Sequence, residues 1–296
     1  MPFYLLLPFL STILVVFGFM LNKRAMARGA DAWAVTLLAN SWAAIMFSVL
    51  LLQPGEWRPW QFLWQPLVIA VLYILGQLFL FLALERGDVS VAAPIFSVKV
   101  LSVAVLAAFV AGDELSAWVW CAAVVATVGV ALVHVGGSGG RHQRLLFTVV
   151  FALLSAATFS LFDVVVQIWS GPGQWDVTRL LPLAFGAAAV MSLGFLPVTR
   201  LDAWRQPGVL RLLLLGTMMI GMQAFCIVIA IGTFGDVARI NVVYALRGLW
   251  GVILAWSFAR VFDGGEAQVS PRVMSIRLVG AALVTIAVVL ALLDSA

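Results

Sequence analysis

The chain has 296 residues, 64% of them apolar and 10% charged, against roughly 45–50% and about 25% in an ordinary soluble domain. Its 17 Lys and Arg and 13 Asp and Glu are too few to give a chain of this length a hydrated surface, so lipid is the solvent for most of it and a soluble globule is excluded. The net charge of +4 is scattered singly through short connections, the pattern of membrane-flanking charge and not of a nucleic-acid patch.

Apolar stretches run at residues 3–21, 33–52, 64–84, 90–110, 117–135, 145–168, 179–198, 209–231, 237–258 and 274–293. Each approaches the roughly 20 residues that a spanning helix needs, which predicts ten transmembrane helices. Pro54-Gly55, Gly112-Asp113-Glu114, Gly136 to His142, Gly171-Pro172-Gly173, Pro207-Gly208 and Asp263 to Pro271 separate them, because Gly and Pro punctuate helices. The first stretch has no basic leader and no small-residue cleavage site, so it reads as a retained helix and not as a signal peptide. A β-barrel is excluded by the absence of alternating segments of about ten residues. Cys121 and Cys226 lie inside apolar runs without partners at ligand spacing, which argues for small buried hydrophobes and no metal site. Trp57, Trp60, Trp64, Trp118, Trp120, Trp169 and Trp175 fall near span ends, as an aromatic belt requires.

The sequence also repeats itself. A shift of 148 residues lays Gly87-Asp88-Val89 on Gly235-Asp236-Val237, Phe96 on Tyr244, Lys99 on Arg247 and Leu101 on Leu249. With slight slippage Gln77 meets Gln223, and Gly129 to Val133 meets Gly280 to Val284. Two five-helix units follow, residues 1–138 and 139–296, joined in one membrane domain. An odd number of spans per unit inverts the second relative to the first, and such symmetry serves alternating access to a site at the interface of the halves.

The sequence resembles the drug/metabolite transporter superfamily in its EamA-type form. The resemblance is carried by the first helix running into Asn22-Lys23-Arg24-Ala25-Met26-Ala27-Arg28-Gly29, by Ala83-Leu84-Glu85-Arg86-Gly87-Asp88-Val89-Ser90, by Gly112-Asp113-Glu114 and by Gly129-Val130-Ala131-Leu132. It implies a ten-helix basket with a cavity between the halves and transport of small metabolites without ATP hydrolysis. No Walker-type glycine loop is present.

Of the 30 charged residues, 27 lie in or near connections, and the exceptions are Lys99, Arg247 and Asp163. Lys99 and Arg247 each sit about 15 Å from either membrane face at 1.5 Å of rise per residue. At that depth a charge costs at least about 2.5–3.5 kcal/mol, so each is expected to face the protein interior or a wet cavity. Related by the repeat, both face one central space, and Asp163 can pair with only one of them. The sum favours an anionic or zwitterionic guest, a carboxylate or a phosphate, for which Arg247 offers a fork and Lys99 a point charge. Within the superfamily, basic residues on the fourth and ninth helices of the phosphate-carrying branches resemble this arrangement.

Helical spacing adds Phe96 and Ser102 beside Lys99, and Tyr244 and Trp250 beside Arg247. Gln77, Gln223, Asn40 and Asn241 are uncharged polar candidates, either for the cavity or for interhelical hydrogen bonds. Ser11, Ser155 and Ser160 lack a nearby His and acid, so no nucleophilic triad and no enzyme is expected. No cofactor is expected. The expected partners are the bilayer, a small-molecule substrate with protons or a counter-substrate, and at most a second copy of the chain.

Two other readings stay open: an exporter of neutral or cationic compounds, amino acids or drugs in which these charges are structural, and a membrane enzyme or scaffold without transport. The odd-numbered connections hold twelve basic residues against Arg58, Arg179 and Arg239 on the other side. In a cell (inner) membrane that bias predicts both termini outside the cytoplasm, whereas the family resemblance implies termini inside.

Overall fold

The computed structural model describes residues 3–86, 98–133, 142–206, 208–250 and 271–293. Among these residues the chain is helical, with no strand. In chain order the helices are α1 (Leu6–Ala27), α2 (Ala32–Ser48), α3 (Trp64–Arg86), α4 (Val98–Leu106), α5 (Ala117–Val133), α6 (His142–Trp169), α7 (Val177–Ser192), α8 (Val209–Phe234), α9 (Val237–Tyr244) and α10 (Pro271–Leu293), with one further turn at Leu201–Trp204. α1, α2, α3, α6, α7 and α8 lie in segments long and apolar enough to cross a membrane, while Val98–Ala111, Ala117–Leu132 and Ala282–Ala291 are shorter apolar helices. Phe96, the Gly87 to Ser90 motif, His134, the 138/139 boundary and the 251–258 part of the ninth expected span lie outside the described residues.

Local chemistry sets the helix ends. The Asp31 carboxylate accepts the Ala34 amide at 2.7 Å and starts α2, and the Asp176 carboxylate accepts the Thr178 amide at 2.8 Å at the start of α7, the N-cap role that Asp plays well. α4 continues into a π-turn at Ala107–Ala111 and stops at Gly112, whose φ of 77° a residue with a β-carbon rarely adopts. The ninth expected span is not one uninterrupted helix. After Tyr244 the hydrogen bonds tighten to the i→i−3 spacing, Leu246 N–H to Val243 O and Gly248 N–H to Ala245 O, and helix resumes at 247–250. Such tightening inside a helix often marks a functional hinge, and Arg247 sits on it.

The polarity of the packing is that of a membrane protein. Ile45, Leu67, Val124, Val128, Leu153, Val190 and Val289 are exposed, whereas Thr36, Asn40, Gln77, Lys99, Ser155, Asp163 and Asn241 are buried. In hydrocarbon, polar side chains gain by turning towards other helices.

The helix pairs that touch most extensively are α1 with α8, α3 with α6, and α5 with α10. Exchanging the first five helices for the last five turns the first pair into the second and leaves the third unchanged. α2 with α7 and α4 with α9 are likewise each their own counterpart. At the α5–α10 crossing a β-carbon on Gly129 would lie 2.9 Å from the Gly280 carbonyl. Those two glycines are the ones superposed by the sequence repeat, so the crossing point falls where a pseudo-two-fold axis must pass. Small residues there let the backbones approach, as membrane helices require.

Candidate functional site

Between the halves lies a cavity of about 50 Å³, lined by α1, α3, α4, α6, α8, α9 and the Arg247 turn. Six of the sequence candidates reach it: Lys99, Arg247, Tyr244, Asp163, Gln77 and Gln223. One water fills roughly 10–15 Å³ on this measure, so the space holds a few waters and is far smaller than the ~300–1,000 Å³ of pockets for drug-sized ligands.

The charged part is built by three helices. Lys99 Nζ on α4 lies 2.7 Å from Asp163 Oδ2 on α6, and the Asn241 amide on α9 donates to the same oxygen at 2.9 Å and to Val237 O at 3.0 Å. The expectation that Asp163 pairs with one cation is met by Lys99, and both partners are almost fully buried. Ser160 Oγ, one turn before Asp163, donates to the Ala156 carbonyl at 2.7 Å and lies 3.4 Å from the Lys99 carbonyl at the start of α4.

The second cation is set by an aromatic ring. Arg247 Cζ stands 4.4 Å from the Tyr244 ring centroid, and Lys99 Nζ lies 5.6 Å from the same centroid. The Tyr244 hydroxyl donates to Gln223 Oε1 at 2.7 Å, and that oxygen also accepts from Ser11 Oγ at 3.1 Å. The ring that orders both cations is therefore anchored through α8 to α1. Phe159, 5.6 Å from Lys99 Nζ, supplies a further face. The negative faces of aromatic rings stabilise cations where water is excluded.

The other candidates lie elsewhere. The Asn40 amide donates to Ser192 Oγ at 2.6 Å between α2 and α7, the interhelical role. Ser102 is half-buried and Trp250 packs edge-on to Phe9 with 6.0 Å between centroids, and neither lines the cavity. Tyr73, Phe159 and Phe162 line it without having been singled out. Helical spacing signals two of them: Tyr73 is four residues before Gln77 and Phe159 four before Asp163, hence on the same helix faces.

At one end of the bundle the rim is heavily bonded. Arg58 donates to Gln174 Oε1 at 2.5 Å and to Gly173 O at 3.2 Å, Arg179 donates to Gln53 O at 3.0 Å, and Trp175 Nε1 donates to Gln65 at 2.7 Å. Gln167 bridges Asp113, to which it donates at 2.7 Å, and the Val237 amide, from which it accepts at 2.9 Å. Burial alone would raise the Asp176 pKa, but hydrogen bonds from the Thr178 amide and hydroxyl hold that carboxyl below the usual range. Among the described residues no group of three or more His, Cys, Asp or Glu is placed to hold a metal.

Residues 2–135 match the family described as EamA-like transporter family. Over that stretch the chain is similar to EamA-type membrane transporters of the drug/metabolite transporter superfamily. The match lies within the first of the two expected units. A solved structure described as "Crystal structure of protein" is similar along nearly the whole length, covering 98% of this chain and 96% of its own, with a TM-score of 0.69 at 15% identity. That likeness carries the fold of the chain and nothing about its substrate. No curated protein matches the sequence.

Proposed function

We propose that this transporter is a secondary carrier of a small anionic or zwitterionic metabolite, bound between the halves near Lys99 and Arg247 and exposed to the two sides in turn. The observation that carries this reading is the joint placement of both cations on one Tyr244 ring beside a cavity whose described lining contains a single carboxylate, Asp163. The formal sum along that lining is +1. A carboxylate or phosphate entering there neutralises it and competes with Asp163 for Lys99, which gives the bound and empty states different helix contacts. The i→i−3 turn before Arg247 supplies a hinge for that change. Coupling runs through protons or through a counter-substrate.

The test is uptake into proteoliposomes of the carboxylates and phosphates that raise the melting temperature of the purified protein. Lys99→Ala and Arg247→Ala are each expected to cut uptake at least about thirtyfold, since each removes a charged contact worth roughly 2–5 kcal/mol to a buried anion. Wild-type rates in either variant refute the reading.

The Lys99–Asp163 pair itself favours a second reading, a helix lock in a carrier of neutral or cationic compounds. Under that reading amines and uncharged solutes stabilise the protein and anions do not.

We also propose that both termini lie outside the cytoplasm in the inner membrane, on the twelve-to-three distribution of basic residues. In a background without Cys121 and Cys226, a cysteine at position 55 is expected to react with an impermeant reagent from outside and one at position 138 is not. The reverse pattern overturns the assignment.

A further inference from the structure

Gln77 is the polar group of the cavity that the anion site leaves unused. It is 2% exposed and lines the cavity from α3, and its Oε1 makes no hydrogen bond to any described residue. The Tyr73 hydroxyl, beside the Gln77 amide and on the same wall, also lacks a described partner in hydrogen-bond geometry. Its repeat counterpart Gln223 behaves differently, because that Oε1 accepts from both Tyr244 and Ser11. The two glutamines related by the repeat have thus diverged, one building the wall and the other presenting a bare acceptor.

A carbonyl oxygen shut away from water without a donor is costly. Its neighbours along the lining of α3, Leu80 and Phe81, offer none. The Tyr73 hydroxyl on the same wall is a donor, yet it makes no hydrogen bond with that oxygen, so the cavity's contents are left to supply one. A water at Gln77 leads to the same requirement, since a ligand that displaces an ordered water without reproducing its hydrogen bond loses affinity. The cavity is about 50 Å³, so a guest whose anion reaches Lys99 and Arg247 is compact, and its donor stands close to that anion.

We propose that Gln77 Oε1 receives a hydrogen-bond donor carried by the substrate next to its anionic group, so that this carrier selects small hydroxylated or aminated acids over their deoxy counterparts. The inference rests on the anion reading above and adds the second half of the recognition. A site built to bond a donor rejects the analogue that lacks one far better than an apolar pocket rejects a missing methylene.

The experiment compares ligands that differ in that donor: propionate with lactate, and with alanine, whose donor is charged, and ethyl phosphate with 2-hydroxyethyl phosphate. Binding to the purified full chain is measured by thermal stabilisation, and transport by competition in proteoliposomes. Wild type is expected to favour the donor-bearing member of a set by about tenfold or more. Gln77→Met is expected to bring that ratio to about twofold by weakening only the donor-bearing ligand, whereas a merely structural role weakens all ligands alike. Gln77→Glu keeps an acceptor and is expected to keep the preference, with alanine gaining on lactate, which separates an ammonium donor from a hydroxyl. Equal wild-type affinities within each set, or equal losses in Gln77→Met, overturn the proposal and leave the anion reading standing. Binding of none of the five ligands overturns both. The wild-type ratio decides the matter even where Gln77→Met does not fold.

Discussion

Arg247 on Tyr244 and Arg58 on Phe62 are nearly the same contact, with 4.4 Å and 4.3 Å from guanidinium carbon to ring centroid. Their surroundings differ. Arg58 is at the rim, bonded to Gln174 and Gly173 of a connecting segment, where water replaces any contact that is lost. Arg247 is half-buried and lines an interior cavity beside a buried ion pair, where fewer waters can substitute. The same geometry therefore staples two connections in one place and lines the interior cavity in the other. Depth decides the role, because the strength of a charged contact rises as the local dielectric falls.

The largest effect expected from breaking that contrast is at the ion pair. Asp163→Ala leaves Lys99 buried without its carboxylate and should cost about 3–5 kcal/mol of stability, read as a lower thermal midpoint in detergent. The double variant Lys99→Met with Asp163→Leu should recover most of that stability, because the stranded charge is gone, yet remain inactive in transport. A double variant as unstable as the single one would show that the pair is not the source of the cost.

Asn40→Ala should cost about 0.6–1.7 kcal/mol, the range for interhelical hydrogen bonds in membranes, with uptake within about twofold of wild type. A specific loss of uptake at unchanged stability would bring Asn40 into the binding machinery. Arg58→Ala at the rim should change stability by no more than about 1 kcal/mol and leave substrate preference untouched.

The smallest effect concerns pH. The folded pKa of Asp176 is lowered, so its stabilisation is complete above the unfolded value near ~3.9 and disappears as pH falls through the lower folded value. Asp176→Asn keeps a good N-cap and should flatten stability against pH below about pH 4 with little change at neutral pH. An unchanged acid limb in the variant would mean that other carboxylates dominate it.

Much of this was legible along the chain. Hydropathy announced the spans because bilayer thickness fixes their length, and the depth of Lys99, Arg247 and Asp163 singled them out because charge there is costly. Gln77, Gln223 and Tyr244 were named from repeat and helical spacing, and all three reach the cavity. Asn40 and Trp250 were named on similar grounds and do not reach it. The period of a helix orders residues around its axis without saying which neighbour each face meets. The break after Tyr244 was missed for a related reason. Ala245 and Leu246 are ordinary helix formers, and Gly248 inside a long apolar run reads as helix until the tightened bond is seen.

The sequence by itself determined the solvent, the family resemblance, the repeat and the three interior charges, since each follows from composition and spacing under the cost of moving polar groups into lipid. Only the tertiary structure decided which cation takes Asp163, which glutamine is spent on Tyr244 and which presents a bare oxygen. Those outcomes depend on where six helices from two halves converge. Residues as far apart as Ser11 and Gln223 meet there at 3.1 Å, a proximity that no local pattern encodes.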